Sequence, residues 1–237
     1  MENQIIHKYI NSDKNDNISL TCDNFIKLSD NIIDLNPVPL YIKTIDDNII
    51  INQELNNIAD QITDDRYLYI GKNQDPNKNF TIFTSQNAYV PNNNILSLNN
   101  DKIEMLKHKI MIGIQELTSL HYKNREYTVN ITNSWMQKYK SGSFLSPHNH
   151  LSSNTKSNDC HYYSVAYYID DGDPDLTQTY SGCISFITNK NLFHIRPKPG
   201  MLLIWEASLI HLVNPFFSKS NKERFMLSCN LSLNIKN

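Results

Sequence analysis

The stretch Ser146-Pro147-His148-Asn149-His150 lies just past the middle of the chain and decides how the rest of the sequence is interpreted. The segment before it has the residue pattern of a β-strand, in which successive side chains point to opposite faces. If that strand continues, His148 and His150 project to the same face, about 7 Å apart along the strand. Two imidazoles in this arrangement can bind one metal ion. The stretch therefore predicts a metal site that needs a third ligand from elsewhere.

His211 is the candidate for that third ligand, and it lies in the apolar segment Leu209-Ile210-His211-Leu212-Val213. Burying an unpaired imidazole is costly, so His211 must hydrogen-bond within the core or bind a ligand. Its own surroundings leave both interpretations open, and an isolated His-x-His is equally unspecific. The combination of the three histidines is more specific than either part.

Arg224 is the second candidate, and it begins the apolar segment that ends at Leu231. If the Arg224 side chain points from its strand into a β-sandwich, it needs an anionic partner. Its planar guanidinium can form two hydrogen bonds to one carboxylate. The alternative is a surface arginine paired with Glu223 or Asp171. The sequence alone leaves both open.

The order of the secondary-structure signals indicates an α+β protein. Apolar residues at helical spacing predict helices at 52–62 and 101–120, the second with Asn100 as its N-cap. Short strands with Gly and Pro between them then follow at 162–169, 182–187, 192–196, 201–205, 209–213 and 224–233. Helices followed by about seven strands favour a β-sandwich or jelly-roll core. We predict an N-terminal extension, 1–36, and a single domain, 37–237.

Composition argues against several classes of protein. A chain of 237 residues with 40% hydrophobic content is sufficient for one well-buried globular domain. A formal net charge of −2 gives no electrostatic reason to expect nucleic acid or an anionic membrane as a partner. The four scattered cysteines form no Cys-x-x-Cys pair, as in a reduced intracellular protein. With no apolar run near the roughly 18 residues of a membrane span and no visible secretory signal, we expect a cytoplasmic location.

The C-terminal half resembles the 2-oxoglutarate/Fe(II)-dependent oxygenases of the double-stranded β-helix fold. It is closest to the branch that carries His-x-His where most members carry His-x-Asp. The matching motifs are Ser134-Trp135 with Tyr139 and Gly142, Pro147-His148-Asn149-His150, Ser164 to Ile169, Pro199-Gly200 with Leu202 and Trp205, Leu209 to Pro215, and Arg224 with Asn230. Two residues depart from the pattern: Val165, and Met226, which stands where a serine often helps to bind the co-substrate.

The resemblance implies a double-stranded β-helix (jelly-roll, cupin-like) core with N-terminal supporting helices. It also implies an Fe(II)- and 2-oxoglutarate-dependent dioxygenase that uses O₂ to hydroxylate a substrate. His148, His150 and His211 are the implied iron ligands. Asp159 is the alternative to His150 as a ligand, because the usual set for this chemistry is two histidines and one carboxylate. His161 is a further alternative, although a structural role fits it better.

For the co-substrate, the resemblance implies that Arg224 binds the distal carboxylate of 2-oxoglutarate and that Tyr139 or Ser228 adds a hydroxyl. Two other functions stay open. One is a non-catalytic jelly-roll binding or structural module, which the departure at Met226 favours. The other is a three-histidine, cupin-like dioxygenase that needs no 2-oxoglutarate. The substrate is open between a protein side chain and a small molecule, neither nucleic acid nor a membrane is expected as a partner, and a homodimer is left open.

Overall fold

The computed structural model describes residues 6–12, 18–20, 26–29, 31–35, 38–61, 68–69, 82–84, 94–120, 122, 125–151, 160–188 and 191–236. The first strands are β1 (Ile6–Ser12), β2 (Ile18–Leu20), β3 (Ile26–Ser29), β4 (Ile32–Asp34), β5 (Pro39–Thr44), β6 (Leu68–Tyr69) and β7 (Ile82–Thr84). The later strands are β8 (Tyr127–Tyr139), β9 (Leu145–His148), β10 (Cys160–Asp170), β11 (Ile184–Ile187), β12 (Asn191–Ile195), β13 (Met201–Glu206), β14 (Ile210–Val213) and β15 (Arg224–Ile235). The helices are α1 (Asn48–Gln61) and α2 (Asp101–Ser119).

These strands form two sheets. The smaller has the order β2-β1-β12-β11-β14-β9, and the larger has the order β3-β4-β5-β13-β10-β15-β8-β7-β6. Ile184 and Phe186 of the smaller sheet pack in one buried cluster with Leu203 and Trp205 of the larger sheet. Because alternate residues of each strand point into this shared layer, the two sheets form a sandwich. This architecture confirms the prediction of a jelly-roll core.

The helices cover the other face of the larger sheet. Asn100 caps α2 as predicted, because its side chain accepts hydrogen bonds from the backbone N–H groups of Lys102 at 2.8 Å and Ile103 at 3.4 Å. Gly113 lets the helix approach closely, since a Cβ there would lie 2.7 Å from Ile204 Cδ1. The apolar stripe of α2 is fully buried against α1 and the sheet: Ile103, Leu106, Ile110, Ile114 and Leu117. Burial of each such side chain contributes about 1.5–3 kcal/mol. Neither described helix is long and apolar enough to cross a membrane.

The sequence places the later strands to within about two residues, but it misses the strands at the N-terminal end. Within the predicted extension, 1–36, β1 pairs with β12 and β4 pairs with β5, so this segment adds strands to both sheets. Whether residues 1–36 form a separable unit stays a prediction. The short apolar runs there are interrupted by Asn and Asp, which are depleted in strands.

Candidate metal centre

The three predicted histidines come together at one end of the sandwich. Strand β9 pairs with β14, and this register sets His148 opposite His211. The ring centroids lie 4.3 Å apart for His148 and His211, 5.0 Å for His150 and His211, and 5.2 Å for His148 and His150. One ligand nitrogen from each ring lies within 4.8 Å of the other two. The spacing suits a single shared ion.

His150 reaches the cluster by a different route from the one predicted. The strand does not continue through the motif, because β9 ends at His148. Instead, the backbone N–H of His150 donates to the carbonyl of Ala207 at 2.9 Å, which ties the residue to the end of β13. The expectation of two histidines on one strand face is therefore wrong, although the two rings do meet.

The outer ring nitrogens of His148 and His211 have fixed partners. His148 Nδ1 lies 2.8 Å from the carbonyl oxygen of Ser146, and His211 Nδ1 lies 3.0 Å from that of Leu209. A carbonyl oxygen only accepts, so each Nδ1 carries the proton. The lone pair of each ring is then on Nε2, which is the arrangement of a metal-binding histidine with a hydrogen-bonded outer nitrogen.

His150 has side-chain partners instead. Its Nδ1 lies 2.7 Å from Asn230 Oδ1 and 2.9 Å from Ser164 Oγ. The amide oxygen of Asn230 accepts the Nδ1 proton, which again leaves Nε2 with a free lone pair. All three rings can thus offer Nε2 to one ion.

Burial keeps two of these rings neutral. Burial, with a smaller contribution from the nearby His148, lowers the pKa of His211 to about 3. Burial also lowers the pKa of His150. Both rings are therefore unprotonated at neutral pH, and a metal ion need not displace protons from them.

A cavity begins at the histidines and lies between the two sheets. Trp135 and Trp205, the only tryptophans in the chain, both line it. Trp205 packs edge-on against His211, with ring centroids 4.9 Å apart. The other lining residues are Gln137, Tyr139, Leu145, Val165, Ala166, Tyr168, Ile184, Val213, Met226 and Ser228. Its walls are mainly apolar, with a few polar groups, as in typical small-molecule sites.

Arg224 is buried beside this cavity, with only 1% of its surface exposed. Its guanidinium lies over the Tyr139 ring at 4.2 Å, and its Nη1 donates to the carbonyl of Gly182. Nε and Nη2 are buried without a hydrogen-bond partner in the described part of the chain. The surface alternative is wrong, because the guanidinium is enclosed and the Glu223 carboxylate lies 3.9 Å from Lys140 Nζ. A buried cation with two unused donors fits an anionic ligand.

Solved structures provide the comparison for this arrangement. A prolyl-4-hydroxylase from Pseudomonas putida matches with a TM-score of 0.55 and 12% identity, over 86% of this chain and 96% of that chain. The viral collagen prolyl hydroxylase of Paramecium Bursaria Chlorella virus-1, in its 2OG complex, matches with a TM-score of 0.51 and 15% identity, over 81% and 96%. AviO1 from Streptomyces viridochromogenes matches with a TM-score of 0.53 and 10% identity, over 81% and 88%.

The fold is that of the 2-oxoglutarate/Fe(II) oxygenases. No family model matches the sequence, and no curated protein matches it. The predicted double-stranded β-helix of this oxygenase fold is therefore confirmed by structure.

Within the oxygenase fold, the two hydroxyls predicted to contact the co-substrate meet a residue that the sequence did not single out. Ser228 Oγ lies 3.2 Å and Tyr139 Oη lies 3.5 Å from Oε1 of Gln137. Gln137 is 5% exposed and lines the cavity. The period of two along β8 would have found it, because Trp135, Gln137 and Tyr139 share one strand face.

The alternative ligands have different outcomes. Asp159 lies outside the described residues. His161 is not part of the histidine cluster; its ring packs against Tyr122 with centroids 5.1 Å apart, as the structural interpretation expects. The oxygenase fold therefore presents three histidines, without a carboxylate, in the described part of the site.

Proposed function

We propose that the protein is an Fe(II)- and 2-oxoglutarate-dependent dioxygenase that hydroxylates a substrate. The observation that carries this proposal is the pairing of two features in one cavity region. The first is three histidines whose Nε2 atoms are free, and the second is a buried arginine, Arg224, with two unused donors.

In this proposal, His148, His150 and His211 bind iron through Nε2. When bound, iron and 2-oxoglutarate supply the O₂-dependent oxidation of a substrate C–H bond. Three neutral ligands leave the 2+ charge of the ion uncompensated, whereas the usual carboxylate ligand would cancel one unit. The uncompensated charge favours an anionic co-substrate at this end of the cavity.

Arg224 binds the distal carboxylate of that co-substrate. The unused Nε and Nη2 hydrogens can form two parallel hydrogen bonds to one carboxylate. The Tyr139 ring supports the guanidinium plane, and the apolar walls exclude water that would compete for the carboxylate. The protein thus orients the co-substrate and excludes water from around its carboxylate.

The test is succinate release from 2-oxoglutarate by the protein loaded with Fe(II) in air. We expect His148→Ala to abolish release and to weaken Co(II) binding by more than about 100-fold, because one of three ligands is lost. His108→Ala, on the exposed face of α2, is the matched control and should change neither. Succinate release that persists in His148→Ala would contradict the proposal.

A three-histidine dioxygenase without 2-oxoglutarate is the second candidate, and the absence of a carboxylate from the described histidine cluster favours it. Arg224→Ala separates the two, since it should abolish activity only if a co-substrate carboxylate binds there. A non-catalytic module would bind neither metal nor 2-oxoglutarate. The similar prolyl hydroxylases make a peptide side chain the first substrate to try.

A further inference from the structure

Gln137 lines the cavity that begins at the histidines, and it lies on the strand next to that of Arg224. Strands β8 and β15 pair so that Tyr139 lies opposite Arg224 and Gln137 lies opposite Met226. Gln137 and Arg224 are thus diagonal neighbours on the same sheet face, with Cα atoms about 7–8 Å apart. A single carboxylate can reach both side chains at that separation.

The hydrogen bonds around Gln137 leave one group free. Its Oε1 accepts from the hydroxyls of Ser228 and Tyr139. These two contacts fix the amide so that the NH₂ group points away from both hydroxyls. Among the described residues, the side-chain hydrogen bonds of Gln137 go to Oε1 and none goes to Nε2, and the residue as a whole is 5% exposed.

We propose that Gln137 is a specificity-determining residue whose NH₂ group, together with Arg224, binds a carboxylate of the ligand. The inference rests on the proposed function, in that 2-oxoglutarate is taken as the ligand. Ser228 and Tyr139 act through Gln137: they orient its amide and do not contact the carboxylate themselves.

Met226 explains why such a residue is needed. Met226 lines the cavity beside Gln137, its paired neighbour on the adjacent strand. Its thioether has no hydrogen to donate. A donor at this level of the cavity must come from the neighbouring strand. Gln137 is the polar side chain on β8 that lines the cavity at that level.

The experiment measures 2-oxoglutarate binding to the Zn(II)-loaded protein, in which no turnover occurs. Calorimetry gives the affinity, and quenching of the two tryptophans, which both line the cavity, gives an independent signal. We expect Gln137→Met to weaken binding about 10- to 100-fold, as for the loss of a hydrogen bond to a charged group. Gln137→Glu should weaken it more, because a second carboxylate repels the ligand.

This order of effects separates recognition from a structural role. Glutamate keeps an acceptor for Ser228 and Tyr139, whereas methionine does not, so a purely structural Gln137 predicts that Gln137→Met is the more harmful change. Adding Met226→Ser to Gln137→Met should restore part of the affinity by supplying a hydroxyl. Gln115→Met and Gln115→Glu, on the exposed face of α2, are matched controls that should bind normally. Thermal unfolding confirms that each variant is folded.

Two outcomes overturn the inference: a wild-type protein that does not bind 2-oxoglutarate, or a folded Gln137→Glu variant that binds as tightly as wild type. The proposed function fails differently. Binding that depends on Gln137, without iron-dependent succinate release, would contradict the oxygenase and leave the role of Gln137 intact. Succinate release that Gln137→Glu does not alter would contradict only the role of Gln137.

Discussion

The two ends of the cavity differ in the charge of the groups that the protein leaves without a partner. At the histidine end, every Nδ1 has a partner within the protein, and the unused groups are neutral: the Nε2 lone pairs and the indole N–H groups of Trp135 and Trp205, which are buried without a partner in the described chain. At the arginine end, two donors of Arg224 and the hydroxyl of Tyr168 are buried without a partner in the described chain. The histidine end costs the folded protein less free energy, because a neutral imidazole is tolerated in an apolar environment.

The arginine end carries a cost that only a ligand relieves. A buried charge without a counter-ion destabilises a folded protein by several kcal/mol. We therefore expect the ligand-free protein to be strained at Arg224 and relaxed at the histidines. Mutations at the two ends should have opposite effects on stability.

The largest expected effect is at the arginine end. Arg224→Met should reduce 2-oxoglutarate affinity by more than about 100-fold, since both carboxylate hydrogen bonds and the positive charge are lost. The same change should leave the free energy of unfolding unchanged or raise it by about 1 kcal/mol, because an unpaired buried charge is removed. Calorimetry and chemical denaturation measure the two quantities. A variant that loses several kcal/mol of stability would show that Arg224 is satisfied without a ligand.

A smaller effect is expected at the histidine end. Asn230→Ala removes the acceptor that fixes the proton of His150, and we expect Co(II) affinity to fall about 10- to 100-fold. Asn230→Asp keeps an acceptor at the same position and should retain most of the affinity. Ser164 Oγ lies within 2.9 Å of the same nitrogen, so it can replace part of the lost contact. Equal affinities of the alanine variant and wild type would mean that Ser164 alone fixes the ring.

The last effect concerns pH and is confined to acidic solution. The lowered pKa of His211, to about 3, means that the unfolded chain takes up this proton before the folded protein does. The stabilisation is fully present above about pH 6.5, the ordinary histidine pKa, and is lost progressively as the pH falls toward 3. Unfolding of the metal-free protein as a function of pH checks this. His211→Asn should flatten the dependence in that window, and an unchanged slope would contradict the role of burial.

The sequence predicts best where one local pattern decides the structure. The Asn100 cap and its apolar stripe place α2 to within one residue. The apolar segment that begins at Arg224 correctly identifies β15 as a strand. The three histidines also meet as predicted, since the separation of His148 and His211 along the chain matched a known pattern of motifs.

What the sequence missed depends on contacts between distant segments. The position of His150 follows from a backbone hydrogen bond to Ala207, which no pattern within the motif encodes. The sequence does not identify Gln137, because a glutamine on a strand is usually solvated, and its burial comes from β15 and the hydroxyls it contacts. The choice between a surface and a buried Arg224 was likewise decided by the surrounding aromatic rings.

Strand β9 gives the metal centre a second consequence. In the described part of the chain it is the outermost strand of the smaller sheet, and its pairing with β14 is irregular. An ion bound by His148 and His211 would clamp this edge to its neighbour, and His150 would extend the clamp to the end of β13. Unpaired sheet edges are the sites where chains add to one another. Removal of the ion by a chelator would therefore loosen this edge of the sheet, and the amide hydrogens of β9 would exchange faster with solvent.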